Sequence, residues 1–406
     1  MKNLLFISPA VPNPTRSGLR MRGWLFLKAL AREYRITLVA GSPAFPAESD
    51  SDLAALHGLI EDAVVLRFRT AADPTLLARR LLSIFGQSGD SPWDWARPSP
   101  AMHRHLSRLR GKEFALVHVF RLYMLSVMSS ILGDQPGIPI QLDLDDWESK
   151  TRRAISEIAE RSRPWLASQL KAESMVLAQE ESRWFPQMKR IFVCSQQDAA
   201  EIVGQHGLDN VCPVNNAVSV PASLPPCSSE VVRELLFIGA LGYFPNQDAV
   251  SFLLEEVLPK LSATVAIPFR LVVAGTEAPH VLRKRLQADP LVTLIQSPEQ
   301  VEPLYRRAIA AVAPIRAGGG TRIKVLEAFA QGRPIVATAA AVAGLDVKPG
   351  VHYIQANTSD EWVAALRELL KDPARGAHFA KSAFAWVRGH SLNVAMDRIS
   401  AILHER

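Results

Sequence analysis

Three consecutive glycines, residues 318–320, stand just before a helical stretch that carries Lys324 and Glu327. Glycines between a strand and a helix let backbone N–H groups approach an anion, and the helix N-terminus adds about half a positive charge. Lys324 falls in the first turn of that helix, where a positive charge opposes the helix dipole and a bound phosphate would relieve the opposition. Glu327 lies just beyond, where a carboxylate can accept hydrogen bonds from sugar hydroxyls. The spacing indicates a site for a phosphate and a sugar, although a flexible turn with solvated basic residues would look the same.

The same segment holds further candidates for binding the anion. Thr321 is placed to cap the helix, and Arg316 and Arg322 flank the glycine turn. Arginine suits a phosphate because it can donate two parallel hydrogen bonds to it. The candidates in this segment are therefore Arg316, Gly318, Gly319, Gly320, Thr321, Arg322, Lys324 and Glu327.

An acidic turn, Asp143-Leu144-Asp145-Asp146, follows the fifth predicted strand. Three carboxylates so close together repel one another, so at least one is expected to bind a cation, a hydroxyl or a basic side chain. A magnesium ion would accept such ligands. A cap for the long helix that follows is the alternative interpretation.

One histidine and one cysteine also lie at predicted strand ends. His118 ends the fourth strand, where it either lines a cleft together with Arg121 or serves as a structural residue. Cys194 has no basic neighbour that would lower its pKa, so a nucleophilic role is not expected. The sequence has 3 cysteines and no CxxC pair, which argues against a disulfide scaffold, a zinc ribbon or an iron–sulfur site.

Short apolar runs alternate with amphipathic stretches along the whole chain, which is typical of parallel sheets with crossover helices and predicts the α/β class. In the first half, we predict strands at residues 3–7, 35–40, 64–68, 114–119, 138–144 and 190–195, and helices at 21–33 and 149–181. In the second half, we predict strands at 235–238, 269–274, 292–295, 311–314 and 334–337, and helices at 248–261, 278–288, 299–307 and 323–331.

A length of 406 residues predicts two domains, since a single core usually organises about 150–200 residues. Residues 213–230 contain four prolines and no periodic pattern, so we interpret them as the interdomain linker. The predicted domains are residues 1–212 and 231–385, followed by a C-terminal helix at 386–406. Two such domains would form a cleft between the carboxyl ends of their strands, where open α/β sheets bind ligands.

The net charge of +6 suits a nucleic acid, an anionic membrane face or a phosphorylated substrate. No run of six like charges and no aromatic–basic interleaving occurs, so we do not expect nucleic-acid binding. Basic residues in the stretches 79–82 and 102–110 favour contact with an anionic membrane, or simply a solvated helix face. The longest apolar stretch, residues 122–132, is far shorter than the ~20 residues that span a bilayer. With only a short apolar run at its N-terminus, the chain is expected to be cytoplasmic.

Residues 313–338, APIRAGGGTRIKVLEAFAQGRPIVAT, resemble the donor-binding segment of the GT-B glycosyltransferases, specifically the large retaining group called family 4. The part from Glu327 to Thr338 matches this family most closely. Other landmarks follow in the expected order along residues 1 to about 400. They are Val193-Cys194-Ser195, Val214-Asn215-Asn216-Ala217-Val218, Phe237-Ile238-Gly239, Pro245-Asn246-Gln247-Asp248, Leu258-Pro259-Lys260-Leu261 and Leu271-Val272-Val273-Ala274-Gly275.

The sequence departs from the family pattern at two places. Gly319 occupies the position eight residues before Glu327, where the family has its first glutamate, which usually contacts the transferred sugar. The Arg and Lys that often follow Gly239 in the family, and bind the diphosphate there, are also missing. Lys324 and Arg322 are the obvious substitutes, because a diphosphate without a cation is costly to bind in a cleft.

The resemblance implies a GT-B architecture of two Rossmann-like domains, with the last helix crossing back to the first domain. It implies that Glu327 holds the ribose hydroxyls and that Gly239 belongs to the donor site. Asp145 stands where the family often has a histidine, and we predict that Asp145, Asp143 and Lys324 are the catalytic residues. The family's glycine-containing loop after the first strand corresponds to Ser17-Gly18, although an ordinary turn fits too. We therefore predict an acceptor or phosphate loop that contains Arg16, Ser17, Gly18 and His118.

The function implied by the resemblance is transfer of a sugar, with retention of configuration, from a UDP- or GDP-linked donor to a hydroxyl of a glycan or lipid-linked acceptor. Surface polysaccharide or glycolipid synthesis at the inner face of the membrane would be the setting, and no metal or other cofactor is expected. The main alternative, motivated by Gly319, is a degenerate protein that binds a nucleotide sugar or a partner without turnover. A nucleotide-sugar epimerase and a dinucleotide oxidoreductase are less favoured, because their motifs are missing.

Overall fold

Two parallel β-sheets, one in each half of the chain, form the framework of the computed structural model. The structure describes residues 1–15, 17–41, 53–66, 98–133, 137–226, 232–320 and 322–405. It divides into two compact units, the first comprising residues 1–215 with 395–406 and the second residues 216–394. The predicted α/β class is confirmed, and the division between the units falls within the segment interpreted as a linker.

The described strands of the first unit are β1 (Lys2–Ser8), β2 (Tyr34–Ala40), β3 (Asp62–Val65), β4 (Leu116–Phe120), β5 (Ile140–Asp145), β6 (Arg190–Val193) and β7 (Val211–Pro213). They lie side by side in the order β3-β2-β1-β4-β5-β6-β7 and are parallel. The core of this unit includes side chains from both faces of β1, which explains the uninterrupted apolar run of that strand from Leu4 to Ile7.

The described α-helices of the first unit are α1 (Gly18–Leu30), α2 (Pro100–Leu106), α3 (Leu125–Leu132), α4 (Glu148–Ala159), α5 (Pro164–Trp184) and α6 (Gln196–His206). The prediction of one helix over 149–181 was wrong, because the structure has α4 and α5 with a break between them. Pro164 explains the break, since proline disfavours helical geometry in the residue before it and fits best in the first turn of a new helix.

The strand order of the first sheet places a topological switch point between β1 and β4. From β1 the chain continues to β2 and β3 on one side, and it returns to β4, β5, β6 and β7 on the other. Connections that leave a parallel sheet in opposite directions open a crevice at the carboxyl ends of the strands. The segments after β1, β4 and β5 are therefore placed where this unit can bind a ligand.

The described strands of the second unit are β8 (Arg233–Ile238), β9 (Phe269–Gly275), β10 (Val292–Gln296), β11 (Ala308–Ala313), β12 (Ile335–Ala337) and β13 (Ile354–Gln355), parallel in the order β10-β9-β8-β11-β12-β13. The switch point lies between β8 and β11. Gly239 follows β8, and the glycine turn 318–320 follows β11. The two candidate donor-binding loops therefore meet at the position where such sheets bind ligands.

The described α-helices after β8 are α7 (Phe244–Phe252), α8 (Leu258–Thr264), α9 (His280–Ala288), α10 (Glu302–Arg307), α11 (Ile323–Ala330), α12 (Ser359–Lys371), α13 (Ala377–Val387) and α14 (Leu392–His404). The helix predicted at 248–261 begins earlier and contains a π-helical turn, Leu253–Val257, between α7 and α8. Pro259 lacks the N–H that would continue the regular hydrogen-bond ladder at this point.

Helix α14 begins in the second unit, and its residues from Ala395 onward group with the first. It contacts the turn that follows α1, where Arg32 lies 3.0 Å from Asp397 and Glu33 lies 3.2 Å from His404. The sequence places these partners more than 350 residues apart, so periodicity alone could not have paired them.

Candidate functional site

Glycine is required at both loops of the second unit's switch point. A Cβ on Gly239 would lie 2.9 Å from the side chain of Asn246, and one on Gly318 would lie 3.0 Å from the guanidinium of Arg322. Gly318 and Gly320 also have φ values of 131° and 66°, which other residues rarely adopt. Glycine at these two loops is therefore explained by the neighbouring side chains and, in the turn 318–320, by the backbone conformation, while the approach of a phosphate to the turn stays a prediction.

Helix α11 presents two charged side chains on one face. It begins at Ile323 with Arg322 in the cap position, so the predicted cap at Thr321 was wrong about the helix boundary, and Thr321 itself lies outside the described residues. Lys324 is the second residue of the helix, and Glu327 follows three residues later, which places both on the same side. The expected first-turn position of Lys324 is confirmed.

The ammonium of Lys324 is held against the loop after β8. Its Nζ donates a hydrogen bond to Asn246 Oδ1 at 2.7 Å and lies 4.4 Å from the ring centre of Phe237. Asn246 in turn donates from Nδ2 to the carbonyl of Ala240 at 2.8 Å. The pKa of Lys324 is lowered to about 7, mainly by burial and also by the nearby Arg322, while Glu327 opposes the change. A negatively charged ligand next to Lys324 would therefore raise its pKa and favour the protonated ammonium.

The carboxylate of Glu327 is held by a residue of another helix. Tyr305 of α10 donates its hydroxyl to Glu327 Oε2 at 3.2 Å. The pKa of Glu327 is raised to about 7, mainly by burial and also by Glu302, while Tyr305 and Lys324 oppose the increase. A basic and an acidic group, each with a pKa of about 7, thus lie three residues apart behind the glycine turn.

The two arginines that flank the turn bind protein groups. Arg322 donates to the carbonyls of Gly319 and Gly320, the latter at 2.8 Å, and so braces the turn from inside. Arg316 forms a two-bond ion pair with Asp248, with Nε 2.8 Å from the carboxylate. Of the predicted basic residues, Lys324 is the one whose charge lies between the two glycine loops.

In the first unit, Asp143 is enclosed in a bidentate ion pair with Arg22 of α1. Arg22 Nε and Nη2 lie 2.9 and 2.8 Å from the carboxylate, and both side chains are 0% exposed. Arg22 also donates to the carbonyl of Val214 at 2.9 Å, and Asp143 accepts the backbone N–H of Asp145 at 3.1 Å. Asp143 is therefore placed beneath the acidic turn, where it orients Asp145.

Asp145 and Arg121 end the adjacent strands β5 and β4 in an unusual backbone conformation. Their φ values are 56° and 77°, which are uncommon in residues other than glycine and are often found at functional sites. Arg121 Nη2 lies 3.1 Å from Asp145 Oδ2, and its other amino group reaches Asp146 at 3.5 Å. The Asp145 side chain is 11% exposed, in contrast to the enclosed Asp143.

The predicted acceptor residues do not come together as one cluster in the described part of the chain. His118 is fully buried between Phe6 and Phe26, with ring centres 4.7 and 5.1 Å away, and burial lowers its pKa to about 3. This is the environment of a core histidine. Ser17 occupies the position before α1, where its carbonyl accepts the N–H of Met21, and Gly18 begins the helix. Arg16 lies outside the described residues.

Three contributors to the site were not identified from the sequence. Asn246 belongs to a Pro-Asn-Gln-Asp stretch that was used only to locate the start of a domain. Tyr305 is part of an otherwise ordinary amphipathic helix, so no sequence signal distinguished it. Arg22 lies close to the first loop in sequence, but its partner Asp143 is 121 positions away.

The comparisons with known proteins identify the second unit. Residues 232–372 match the family model Glycosyl transferases group 1. The matched range contains Gly239, Lys324 and Glu327. Residues 232–372 of this unit are therefore similar to the group 1 glycosyltransferases. The group 1 segment thus contains every donor-binding residue that the sequence predicted.

A relative supports the same assignment over part of the chain. The chain is 33% identical over 188 residues to D-inositol 3-phosphate glycosyltransferase 1 of Catenulispora acidiphila, and this match covers 41% of the chain and 43% of the relative. The chain thus aligns with less than half of that relative's length.

Solved structures of similar fold cover both units. Sucrose-phosphate synthase from Thermosynechococcus elongatus aligns with a TM-score of 0.68 at 13% identity, over 99% of this chain and 98% of that one. HepE of Anabaena, in complex with UDP and glucose, aligns with a TM-score of 0.65 at 12% identity over 100% of both chains. TarM aligns with a TM-score of 0.69 at 9% identity, over 100% of this chain and 99% of that one. The predicted GT-B fold is confirmed.

The described residues contain neither a membrane-spanning helix nor a cluster of metal ligands. No helix there is both long and apolar enough to cross a membrane. In that same part of the chain, no group of three or more His, Cys, Asp or Glu residues is arranged to hold a metal ion.

Proposed function

We propose that this chain is a glycosyltransferase that moves a sugar from a nucleoside diphosphate sugar, UDP- or GDP-linked, to a hydroxyl of an acceptor with retention of configuration. The observation that carries the proposal is the pairing of Lys324 and Glu327 on one face of α11, directly behind the glycine turn and at the switch point of the group 1 unit. A diphosphate and a ribose together require this combination of a cation, backbone donors and a carboxylate.

Lys324 would stabilise the diphosphate as the bond between the sugar and the phosphate oxygen breaks. Negative charge grows on the departing phosphate, and a preorganised cation with backbone N–H groups from the turn 318–320 favours that change. Asn246 holds the ammonium in place, so little reorganisation is needed. Glu327 would accept hydrogen bonds from the ribose hydroxyls, as the corresponding glutamate does in the family.

The acceptor would bind to the first unit, at the acidic turn after β5. Asp145 has a partly exposed carboxylate and a fixed backbone, so it can accept a hydrogen bond from the attacking hydroxyl. Asp143 would act through Asp145 rather than touch the substrate, since Arg22 encloses it. A glycan or lipid-linked acceptor at an anionic membrane face agrees with the net charge of +6.

The test begins with thermal unfolding in the presence of UDP, GDP, ADP or dTDP. A nucleotide at a hundredfold excess over its Kd should stabilise the protein by about 2.7 kcal/mol. We expect one nucleotide to raise the melting temperature, Lys324→Ala and Glu327→Ala to abolish the increase, and Lys284→Ala, on the exposed side of α9, to retain it. The absence of a shift with every nucleotide would contradict the proposed donor site.

Turnover then separates transfer from binding alone. Gly319 replaces the family's first glutamate, which is the reason to consider a protein that binds a nucleotide sugar without transferring the sugar. Release of the nucleotide from its sugar donor, with the anomeric configuration of the product determined by NMR, would support transfer with retention. Stabilisation by the nucleotide sugar without any release, over a range of hydroxyl acceptors, would favour the binding protein instead.

A further inference from the structure

Tyr305 connects α10 to the functional face of α11. Its ring is 1% exposed, and its hydroxyl lies 3.2 Å from Glu327 Oε2 and 3.2 Å from the backbone carbonyl of Lys324. The hydroxyl thus reaches both positions of α11 that the proposed donor site uses, from a neighbouring helix. A phenol buried this deeply usually has a defined hydrogen-bond partner.

Glu327 depends on this phenol for its orientation. In the described part of the chain, Tyr305 is the only side chain that donates a hydrogen bond to Glu327. The other charged groups that face the carboxylate are Glu302 of α10, which repels it, and Lys324 of its own helix, which attracts it. Lys324 Nζ is directed instead to Asn246, so it does not fix the position of Glu327.

We propose that Tyr305 is a positioning residue. Its hydroxyl orients the carboxylate of Glu327 so that this carboxylate can recognise the ribose diol of the donor nucleotide. The inference rests on the proposed function, in which Glu327 faces that ribose. The one proton of the phenol can reach both Glu327 Oε2 and the carbonyl of Lys324, and the ionised carboxylate is the stronger acceptor. Donation to Oε2 then holds one carboxylate oxygen. The other oxygen is then directed to the ribose hydroxyls. The same hydrogen bond favours the ionised carboxylate, which burial and Glu302 disfavour.

The chain offers a closely matched pair of variants. Tyr305→Phe removes the hydroxyl and keeps the buried ring. Tyr353→Phe is the control, because Tyr353 is also buried in the second unit, at 2% exposure, and its hydroxyl donates to Gln355 at 2.9 Å, away from α11. Binding of UDP and of 2′-deoxy-UDP is measured by calorimetry between pH 5.5 and 8.5, or of the corresponding guanine nucleotides if GDP is the ligand that stabilises the protein.

We expect Tyr305→Phe to weaken UDP binding about tenfold at pH 7, in line with the loss of a hydrogen bond to a charged group. The preference for UDP over 2′-deoxy-UDP should decrease, because the carboxylate no longer has a fixed orientation. The pH below which affinity falls should move upward, since the phenol no longer favours the ionised form of Glu327. Tyr353→Phe should leave all three quantities unchanged.

A double variant separates positioning from a general loss of structure. In a Glu327→Ala background, which leaves the phenol no side-chain acceptor at position 327, Tyr305→Phe should cost little of the remaining affinity, because the two changes act through one interaction. Equal losses for both nucleotides with an unchanged pH profile, or full additivity with Glu327→Ala, would show that Tyr305 has only a packing role. A wild-type protein that binds none of these nucleotides would refute the proposed function, and this inference with it.

Discussion

Arg22 and Asp143 illustrate how a single ion pair decides the role of a residue. The sequence shows three carboxylates in the acidic turn, and the family pattern suggested that both Asp145 and Asp143 orient substrate. The structure encloses Asp143 with Arg22, whereas the Asp145 side chain keeps 11% of its surface exposed and pairs with Arg121. Nothing in the local sequence could separate the two, because the guanidinium that does so comes from α1.

Removing one partner of this enclosed pair should destabilise the protein strongly. We expect Arg22→Met to lower the free energy of unfolding by about 3–5 kcal/mol, because Asp143 would then be a buried charge without a cation. Asp143→Asn retains an acceptor for the N–H of Asp145, so the double variant Arg22→Met/Asp143→Asn should recover part of this loss. Urea unfolding measures both.

An exposed pair provides the control for that measurement. Arg32 and Asp397 also lie 3.0 Å apart, but their side chains are 44% and 73% exposed. Arg32→Met should therefore change stability by no more than about 1 kcal/mol. A similar cost for Arg22→Met and Arg32→Met, or a double variant less stable than Arg22→Met alone, would contradict the enclosed-pair interpretation.

Helix α11 combines two groups whose pKa values converge near neutrality. Below about pH 7 Glu327 takes up a proton and loses its capacity to accept two ribose hydrogen bonds, and above about pH 7 Lys324 loses its positive charge. Nucleotide affinity should therefore fall on both sides of neutral pH. Calorimetric titration of UDP across pH 5.5 to 8.5 tests this, or of GDP if GDP is the ligand.

Lys324→Arg distinguishes the decrease in nucleotide affinity above pH 7 from the decrease below it, because arginine stays protonated throughout this pH range. We expect the decrease in affinity above pH 7 to disappear in this variant, while Lys284→Arg should retain it. Phosphate titrates at roughly pH 6, but this contribution is common to all variants and cancels in their comparison. A decrease of unchanged size above pH 7 in Lys324→Arg would mean that another group controls that decrease.

At the level of elements, the sequence predicted strands better than helix boundaries. Strands such as β1 are continuous apolar runs because both of their faces are buried, and such runs have sharp ends. Helices end for local reasons that periodicity does not reveal. Pro164 divides the predicted helix 149–181 in two, and α1 begins at Gly18 instead of Met21. The candidate donor residues could be proposed from the sequence because they are contiguous in a recognisable motif, whereas Asn246 and Tyr305 contact them across 78 and 22 residues.

At the scale of the whole molecule, the chain contains two sheets, each with its own buried core and its own switch point. The GT-B resemblance predicted this arrangement. The alternation of apolar and amphipathic stretches predicted only the α/β class, and the chain length predicted only the number of domains. Chains with several domains often unfold in more than one step. We therefore expect two heat-absorption peaks in scanning calorimetry, one for each unit.

Ligand and variant should act on different peaks. The stabilising nucleotide binds to residues of the second unit, so it should raise the temperature of one peak and leave the other in place. Arg22→Met should lower the peak that the nucleotide does not move, since both members of that ion pair belong to the first unit. A single peak that responds to both treatments would mean that the two units unfold as one, and their cores would then not be independent sources of stability.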